Sequence, residues 1–379
     1  MAIKTGNAER RDRIRMFSPY VTEEAIARVV ETLRSGYIGD GPVVKEFEGT
    51  IKEMFGIPYP VAVNSCTSAL QLALALIGLE PGDEVITTAQ TFMATSHVIL
   101  ARGAQPVYAD VQYLTGNVDP ADIEHRITER TRAIMPVHWA GYPCDMDEIL
   151  EIAARYELPV IEDAAQALGA SYKGRPVGTI SPYTCFSFQA VKQLTTGDGG
   201  MLCLTDEATY EAARRRRWFG IDRDRRKPTL LGEPEWDVTE VSYKYHMNDI
   251  AASIGVEHLK VFPEIARRRA EIARRYHEAL AGVPGITLFE SKDDRVSANW
   301  IFCMHVDERR EDFVRMMKSK GVDVSVVHLR IDRNTIFGPV RDDLPQLAHL
   351  TETIMSLPLH NHLSDEDVEY VIQCVKGGW

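Results

Sequence analysis

The sequence predicts an α/β fold with a mostly parallel central sheet, followed by a smaller α+β unit. Three observations support this prediction. Between about residues 60 and 205, short β-rich runs alternate with helical patterns, as in parallel sheets covered by helices. A long helical pattern over 249–280 then ends at the breaker Gly282-Val283-Pro284-Gly285. Residues 285–379 mix strand and helix patterns.

The predicted elements follow from apolar runs and helical periodicity between turn signals. Strands are expected at 60–63, 84–87, 105–109, 132–137, 159–162, 184–188, 200–204 and 299–306. Helices are expected at 68–77, 92–102, 146–156, 312–320 and 365–375. We assign 1–255 to a large unit and 256–379 to a linking helix with a small unit, and about the first 35 residues could pack on the small unit.

Composition excludes several classes of protein. The chain has 379 residues, 45% of them hydrophobic, and a net charge of −12. This acidity disfavours nucleic-acid and anionic-membrane partners. The six cysteines form no C-x-x-C pair and are expected to be reduced thiols. Without an apolar run of ~18 residues or an apolar signal segment, a cytoplasmic protein is expected.

Three motifs carry candidate chemistry. The first is V-A-V-N-S-C-T-S-A-L at 61–70, a strand that runs through a polar turn into a helix. Ser65 and Thr67 are natural N-cap residues, and the free N–H groups at 66–69 would form an anion site. A capped helix without a ligand is the alternative.

The second motif, P-V-I-E-D-A-A-Q-A at 159–167, places Asp163 at the carboxyl end of a strand. Ligands bind at that edge of a parallel sheet. Asp163 could hold a cationic ring nitrogen, and Gln166 could reach the same ligand. A helix N-cap role for Asp163 is the alternative.

The third motif, C-F-S-F-Q-A-V-K-Q-L-T-T-G-D-G-G at 185–200, sets Lys192 between an aromatic strand and a glycine-rich loop. A lysine there could form a Schiff base, although most lysines are simply solvated. Ser187 could serve the same phosphate-bearing ligand. An anion cradle, a carboxylate and an amine are together what pyridoxal 5′-phosphate (PLP) requires.

These motifs resemble the DegT/StrS family of PLP-dependent nucleotide-sugar aminotransferases. The resemblance spans nearly the whole chain, from G-Y-I-G-D-G-P at 36–42 through T-F-x-A-T at 91–95, E-D-x-A-Q at 162–166 and S-F-x-x-x-K-x-x-T-x-G-x-G-G at 187–200. It implies a type I aminotransferase-like fold and a homodimer with active sites at the subunit interface.

The resemblance also implies residue roles. Lys192 would be the Schiff-base lysine, Asp163 the partner of the pyridine nitrogen, Gln166 a neighbour of the ring oxygen, and Phe92 the stacking aromatic. Ser187, Thr67 and the backbone of Cys66 would cradle the phosphate. Relatives often have Gly or Ala in place of Cys66, and Phe92 could instead be a core residue. Substrate contacts are expected from Tyr37, Gln189, His328 and Arg330.

One departure from the family lies at 241–250, where many relatives carry Gly-Tyr-Asn and the Asn reaches the partner subunit's phosphate. This chain has Ser242-Tyr243-Lys244, so Lys244 could replace that Asn, with His246 and Asn248 as alternatives. Another departure is Gln189, where some relatives carry His. Relatives that catalyse 3-dehydration carry His in place of the Schiff-base lysine, so Lys192 argues for transamination.

Three other signals remain open. The basic run at 214–217, extended by Arg223, Arg225, Arg226 and Lys227, could be a solvated helix face, a nucleic-acid patch or a diphosphate contact. His360 and His362 are weak evidence for a metal, and no metal site is expected. His138 could face a ligand or be a satisfied turn histidine.

The sequence therefore predicts an enzyme that moves an amino group from L-glutamate to a nucleotide-linked 4-keto-6-deoxy sugar. The resemblance implies an internal aldimine on Lys192 and a pyridoxamine phosphate intermediate. The alternatives are an inosose-type amino-cyclitol aminotransferase, a non-catalytic sugar sensor of the same fold, and a nucleic-acid-binding regulator.

Overall fold

The computed structural model describes residues 13–222 and 227–379. Its first part alternates strands and helices as the sequence predicts. The elements are α1 (Glu23–Ser35), α2 (Pro42–Phe55), β1 (Tyr59–Val63), α3 (Cys66–Leu76), β2 (Glu84–Thr88), α4 (Ala94–Leu100), β3 (Gln105–Ala109), α5 (Pro120–His125), β4 (Thr131–Ile134), α6 (Met146–Arg155), β5 (Ile161–Asp163), β6 (Ser171–Tyr172), β7 (Arg175–Pro176), β8 (Tyr183–Ser187), β9 (Gly200–Leu204) and α7 (Glu207–Arg216).

The second part begins with a long helix and continues as a small mixed unit. Its elements are α8 (Asp249–Leu280), β10 (Ile286–Leu288), β11 (Arg295–Val296), β12 (Phe302–Val306), α9 (Arg310–Ser319), α10 (Pro345–Thr353), β13 (Ile354–Leu357) and α11 (Asp365–Lys376). The bounds of α8 coincide with the predicted helix. No helix in the described ranges combines the length and the apolar character that a membrane crossing requires.

The central sheet is mostly parallel, as predicted. One part has the strand order β1-β9-β8-β5 and the other β3-β2-β4, and parallel bridges from Ile134 to Val160 and from Val137 to Asp163 connect them. The pairs β2–β3, β2–β4 and β5–β8 are parallel, whereas β9 runs antiparallel to both β1 and β8. β4 is shorter than predicted because Pro136 has no N–H for the ladder.

Helices cover both faces of this sheet and bury its apolar side chains. One core combines α2 and α8 with the sheet through residues such as Phe47, Phe186 and Leu259. Another joins α3 to the opposite face through residues such as Leu70 and Leu202. All six cysteines are free and buried.

The small unit has its own core, which the second half of α8 shares. Strands β10, β12 and β13 form an antiparallel sheet, and Tyr276 of α8 packs with residues such as Phe313 and Val371. Since α8 contributes to cores on both sides of residue 256, the boundary at 255/256 stays a prediction.

Near the N-terminus, Ile14 pairs with Val322 of the small unit, and Thr32 of α1 hydrogen-bonds Ser253 of α8 (2.7 Å).

The contact between α2 and α8 depends on a helical glycine. A Cβ at Gly255 would lie 2.6 Å from Cε2 of the buried Phe47, whereas a Cβ at Gly49 in α2 would meet nothing within 4 Å.

We expect Gly255→Ala to lower the free energy of unfolding by about 1–3 kcal/mol through overpacking. Gly49→Ala should raise it by about 0.5–1 kcal/mol. Chemical denaturation of both variants measures this, and equal effects would contradict the packing explanation.

Candidate active site

A cavity of about 340 Å³ opens at the carboxyl ends of β5 and β8. This is where ligands bind in open α/β sheets. The three motifs, which are far apart in the sequence, all reach it. Of the residues expected in the site, it brings together Cys66, Thr67, Phe92, Asp163, Gln166, Ser187, Gln189, Lys192 and His328.

Lys192 stands in a tight turn that follows β8. The N–H of Lys192 donates to the carbonyl oxygen of Gln189 (2.9 Å), and the side-chain Oε1 of Gln189 accepts from the N–H of Val191 (3.0 Å). The surrounding protein lowers the pKa of the Lys192 amine to about 8, because burial disfavours the charged form. This shift increases the fraction of neutral amine near neutral pH.

Asp163 is the last residue of β5 and is buried. Its Oδ2 accepts a hydrogen bond from the hydroxyl of Thr95 (2.7 Å), and its Oδ1 accepts from the N–H of Ala165 (3.2 Å). Burial raises the pKa of Asp163, and these two hydrogen bonds together with the charge of Lys192 offset only part of that rise. A cation bound beside Asp163 would therefore favour its charged form.

The beginning of α3 supplies anion-binding groups. Ser65 is the N-cap, and its Oγ accepts from the N–H of Ser68 (3.1 Å). The N–H groups of Cys66 and Thr67 have no acceptor within the helix and remain for a ligand. Gly200 of β9 passes directly behind this turn, where a Cβ would overlap the backbone of Ser65.

Other side chains complete the cavity. The Oε1 of Gln166 accepts from the N–H of Ala140 (2.7 Å), which leaves the Nε2 group as the donor. Phe92 is half exposed, and its ring centre lies 5.2 Å from that of His328. Burial, followed by the nearby charge of Lys192, lowers the pKa of His328 to about 4, so this imidazole is neutral at pH 7.

These groups fit PLP by the chemistry of the donor set. Lys192 offers an amine for the aldehyde, and Asp163 offers a carboxylate for a protonated ring nitrogen. The free N–H groups of Cys66 and Thr67, with the hydroxyl of Ser187, offer donors for the phosphate.

Three expected site residues lie elsewhere. Arg330 is buried and forms an ion pair with Asp332 (2.5 Å). Tyr37 is 71% exposed and lines a separate cavity. Lys244 is exposed, with its Nζ 5.8 Å from the ring centre of Trp218. None of the three lines the cavity of Lys192 within its own subunit.

The structure also places the alternatives to Lys244, and His138, whose role the sequence left open. Asn248 caps α8, and His246 packs edge-on against Trp218. His138 bonds Glu162 through Nε2 (2.7 Å) and accepts from the N–H of Cys144 through Nδ1 (3.0 Å), so it is a satisfied structural histidine.

The imidazoles of His360 and His362 bond the carbonyl oxygens of Arg15 and Pro19. Within the described ranges no group of three metal-binding side chains occurs.

Some of the described arginines in the basic run are paired with glutamates. Arg217 is buried and pairs with Glu48, and Arg216 pairs with Glu240. Arg223, Arg225 and Arg226 lie outside the described residues. Arg216 and Arg217 therefore have structural roles.

Two residues of the site were not singled out from the sequence. Thr95 lies within the T-F-x-A-T motif, and the hydrogen bond to Asp163 gives it a role. Trp300 lines the cavity from a segment more than one hundred residues after Lys192 in the chain. Spacing in the sequence carries no signal for such a contact.

Comparison with known proteins agrees with this geometry. The model of the DegT/DnrJ/EryC1/StrS aminotransferase family matches residues 19–376. The UDP-4-amino-4-deoxy-L-arabinose–oxoglutarate aminotransferase of Shewanella sediminis is 35% identical over 373 residues, which cover 94% of this chain and 96% of that protein.

Solved structures show the same likeness. The sugar aminotransferase CalS13 from Micromonospora echinospora superposes with a TM-score of 0.91 at 36% identity, covering 97% of this chain and 100% of that one. Spr1654 from Streptococcus pneumoniae, in its PLP form, superposes with a TM-score of 0.89 at 32% identity, covering 96% and 98%. The chain therefore belongs to the DegT/DnrJ/EryC1/StrS aminotransferase family and is a PLP-dependent sugar aminotransferase.

Proposed function

We propose that this enzyme transfers the amino group of L-glutamate to a nucleotide-linked 4-keto-6-deoxy sugar, and that it works as a homodimer with interfacial active sites. The observation that carries the proposal is the enclosure of the Lys192 amine and the Asp163 carboxylate in one cavity. The name of the Shewanella relative, which pairs a UDP-linked 4-amino sugar with oxoglutarate, supports a nucleotide-linked sugar with a ketone at C4 as the acceptor and glutamate as the donor. Arabinose is a pentose, so the 6-deoxy part of the proposal rests on the family resemblance alone.

PLP, when bound, supplies an aldehyde conjugated to an electron-withdrawing ring, which carries the amino group between the two substrates. The residues proposed to hold it are Asp163, Ser187 and the N–H groups at the start of α3. Lys192 Nζ would accept and return the proton that moves in each half of the reaction. Such a positioned group contributes about 10²–10⁴-fold to the rate.

The enclosure of Lys192 prepares the amine for this role. With a pKa of about 8, about a tenth of the amine is neutral at pH 7. A lysine with the ordinary value of 10.5 would be neutral in less than about a thousandth of the molecules. The site therefore keeps a proton acceptor available at neutral pH.

His328 and Gln189 are the substrate contacts that we propose from the cavity lining. The neutral imidazole of His328 can donate and accept hydrogen bonds with sugar hydroxyls. Gln189 already uses its Oε1 to cap the lysine turn, so its Nε2 is the group left for substrate. Both side chains lie beside Lys192 in the cavity lining.

The dimer is supported by residues that do not reach their own cavity. Lys244 is exposed on the surface of its subunit, and Val241, close to it in sequence, is 91% exposed. Tyr37 and Ile38 are also exposed apolar residues. We propose that these side chains are buried against a second copy, and that Lys244 reaches the partner's phosphate site there, as the family resemblance implies.

The donor and the acceptor can be tested by product analysis. The PLP-loaded enzyme with L-glutamate alone should release about one 2-oxoglutarate per site, because the amino group stays on the enzyme. A nucleotide-linked 4-keto-6-deoxy sugar added next should be aminated, as measured by mass spectrometry. Faster amination of an inosose would instead establish the cyclitol alternative. Release from another amino acid only would contradict the donor.

The hydroxyl of Thr95 should stabilise the charged carboxylate of Asp163. We expect Thr95→Val to weaken PLP binding about tenfold at neutral pH, since a hydrogen bond to a charged group is lost. The pKa of Asp163 should rise further in Thr95→Val. As the pH is lowered, Asp163 should therefore become protonated, and PLP affinity should begin to fall, at a higher pH than in the wild type. Thr95→Ser, which keeps the hydroxyl, is the matched control. PLP titrations across pH measure both effects, and identical curves for Val and Ser would contradict this role.

The interfacial site predicts complementation between two inactive variants. Lys192→Ala should lose at least about 10²-fold in activity, and Lys244→Ala should bind PLP weakly. Co-expressed with different tags, they should form hybrid dimers with one intact site each. A random mixture would then regain about a quarter of wild-type activity, because half of the dimers are hybrids.

Two outcomes would contradict parts of this proposal. If Lys244 acts within its own subunit, the isolated hybrid stays inactive. Full activity of Lys192→Ala alone would remove the assignment of the lysine itself.

A further inference from the structure

Trp300 makes two contacts with the segment that carries Lys192. The Nζ of Lys192 lies 3.9 Å from the centre of the Trp300 ring. The indole N–H donates to the carbonyl oxygen of Val191, the residue before the lysine (2.9 Å). One side chain therefore contacts both the amine and the backbone that presents it.

The backbone of Trp300 is itself fixed. Its N–H donates to the carbonyl oxygen of Ala140 (3.0 Å), and its carbonyl oxygen accepts from Nη1 of Arg269 (3.2 Å). Phe17 stacks on the indole, with ring centres 5.7 Å apart and an interplanar angle of 25°. Trp300 is 1% exposed, so the ring is a rigid platform.

Other groups also face the amine, and Asp163 offsets part of the burial that lowers the pKa of Lys192, so the indole acts beside them. Asp163, Cys66, His328 and Asp198 line the same cavity. Burial keeps the pKa of Cys66 well above its usual value, and His328 is also neutral at pH 7. Burial raises the pKa of Asp163, and in the described part of the chain its carboxylate forms no ion pair with Lys192.

We propose that Trp300 is a positioning residue that holds the amine of Lys192, through its ring face, whenever that amine is not bonded to the cofactor. A cation over an indole face is attracted by the ring quadrupole, and the attraction is strongest for Trp and in desolvated sites. The hydrogen bond from the indole N–H to the carbonyl oxygen of Val191 keeps the turn that carries Lys192 at a fixed distance from the ring. This inference rests on the role proposed above for Lys192.

The test measures the protonation of Lys192 in the protein without cofactor. An amine-acylating reagent is applied across a pH series, and the labelling of Lys192 is quantified by mass spectrometry. The variants are Trp300→Leu, which removes the ring and the donor, and Trp300→Phe, which keeps a weaker ring face but no donor. Phe289→Leu is the matched control, because Phe289 packs in the same hydrophobic cluster but does not line the cavity of Lys192.

Loss of the ring should make the protonated amine less stable. We expect the labelling midpoint to fall by about one pH unit in Trp300→Leu and by about half a unit in Trp300→Phe. With cofactor and substrates, kcat should fall about tenfold or more in both variants, with KM nearly unchanged, since only alignment is lost. The control should leave the midpoint and kcat as in the wild type.

Three results would overturn the inference. An unchanged midpoint in both variants would show that the ring does not hold the amine. A midpoint that rises would show that Trp300 only excludes water. A midpoint that falls equally in Phe289→Leu would assign the effect to general loosening of the cluster.

Trp300→Phe keeps the test decisive if Trp300→Leu does not fold. Labelling of the cofactor-free protein does not depend on turnover. A failure of this inference is therefore distinguishable from a failure of the proposed function, which Lys192→Ala tests separately.

Discussion

Lys192 and Asp163 face the same cavity, and enclosure by protein works against the charge on each of them. It lowers the pKa of the amine to about 8 and raises the pKa of the carboxyl group. A buried charge persists only where hydrogen bonds or opposite charge offset its desolvation. The other contacts of the site offset part of this desolvation. Thr95 and Ala165 donate hydrogen bonds to Asp163, and the ring of Trp300 lies against the Lys192 amine. The site is thus organised around two charges that the protein alone stabilises only partly.

The topology of the sheet explains why distant motifs meet. β5 and β8 are parallel neighbours, so Asp163 and the turn after Ser187 lie at the same edge. β9 returns antiparallel between β1 and β8, and Gly200 lets its backbone pass close behind the start of α3. A side chain at residue 200 would separate the phosphate-binding turn from the lysine turn. Gly200 of β9 therefore helps to set the distance between these two turns, although it carries no catalytic side chain.

The sequence predicted the elements and the three motifs because their signals are local: periodicity, capping and strand ends. Alternation along β5 also explains why Asp163 reaches the cavity while its neighbour Glu162 turns to His138, Ser181 and Thr184. The contacts that the sequence does not indicate depend on the assembled chain. Trp300 approaches Lys192 only once the small unit has packed, and Arg330 forms an ion pair with Asp332 and does not line the cavity. No spacing rule encodes these tertiary contacts.

The packing of the small unit is consequently part of the chemistry. Arg269 of α8 is buried, and burial lowers its pKa to about 10; it donates to the carbonyl oxygens of Asn299, Trp300 and Leu359. The hydrogen bonds to these carbonyl oxygens offset part of the cost of burying the guanidinium charge. A shift of the small unit would break them together and would also carry Trp300 away from Lys192. The position of the catalytic amine is therefore linked to the hydrogen bonds by which α8 holds the segment of Trp300.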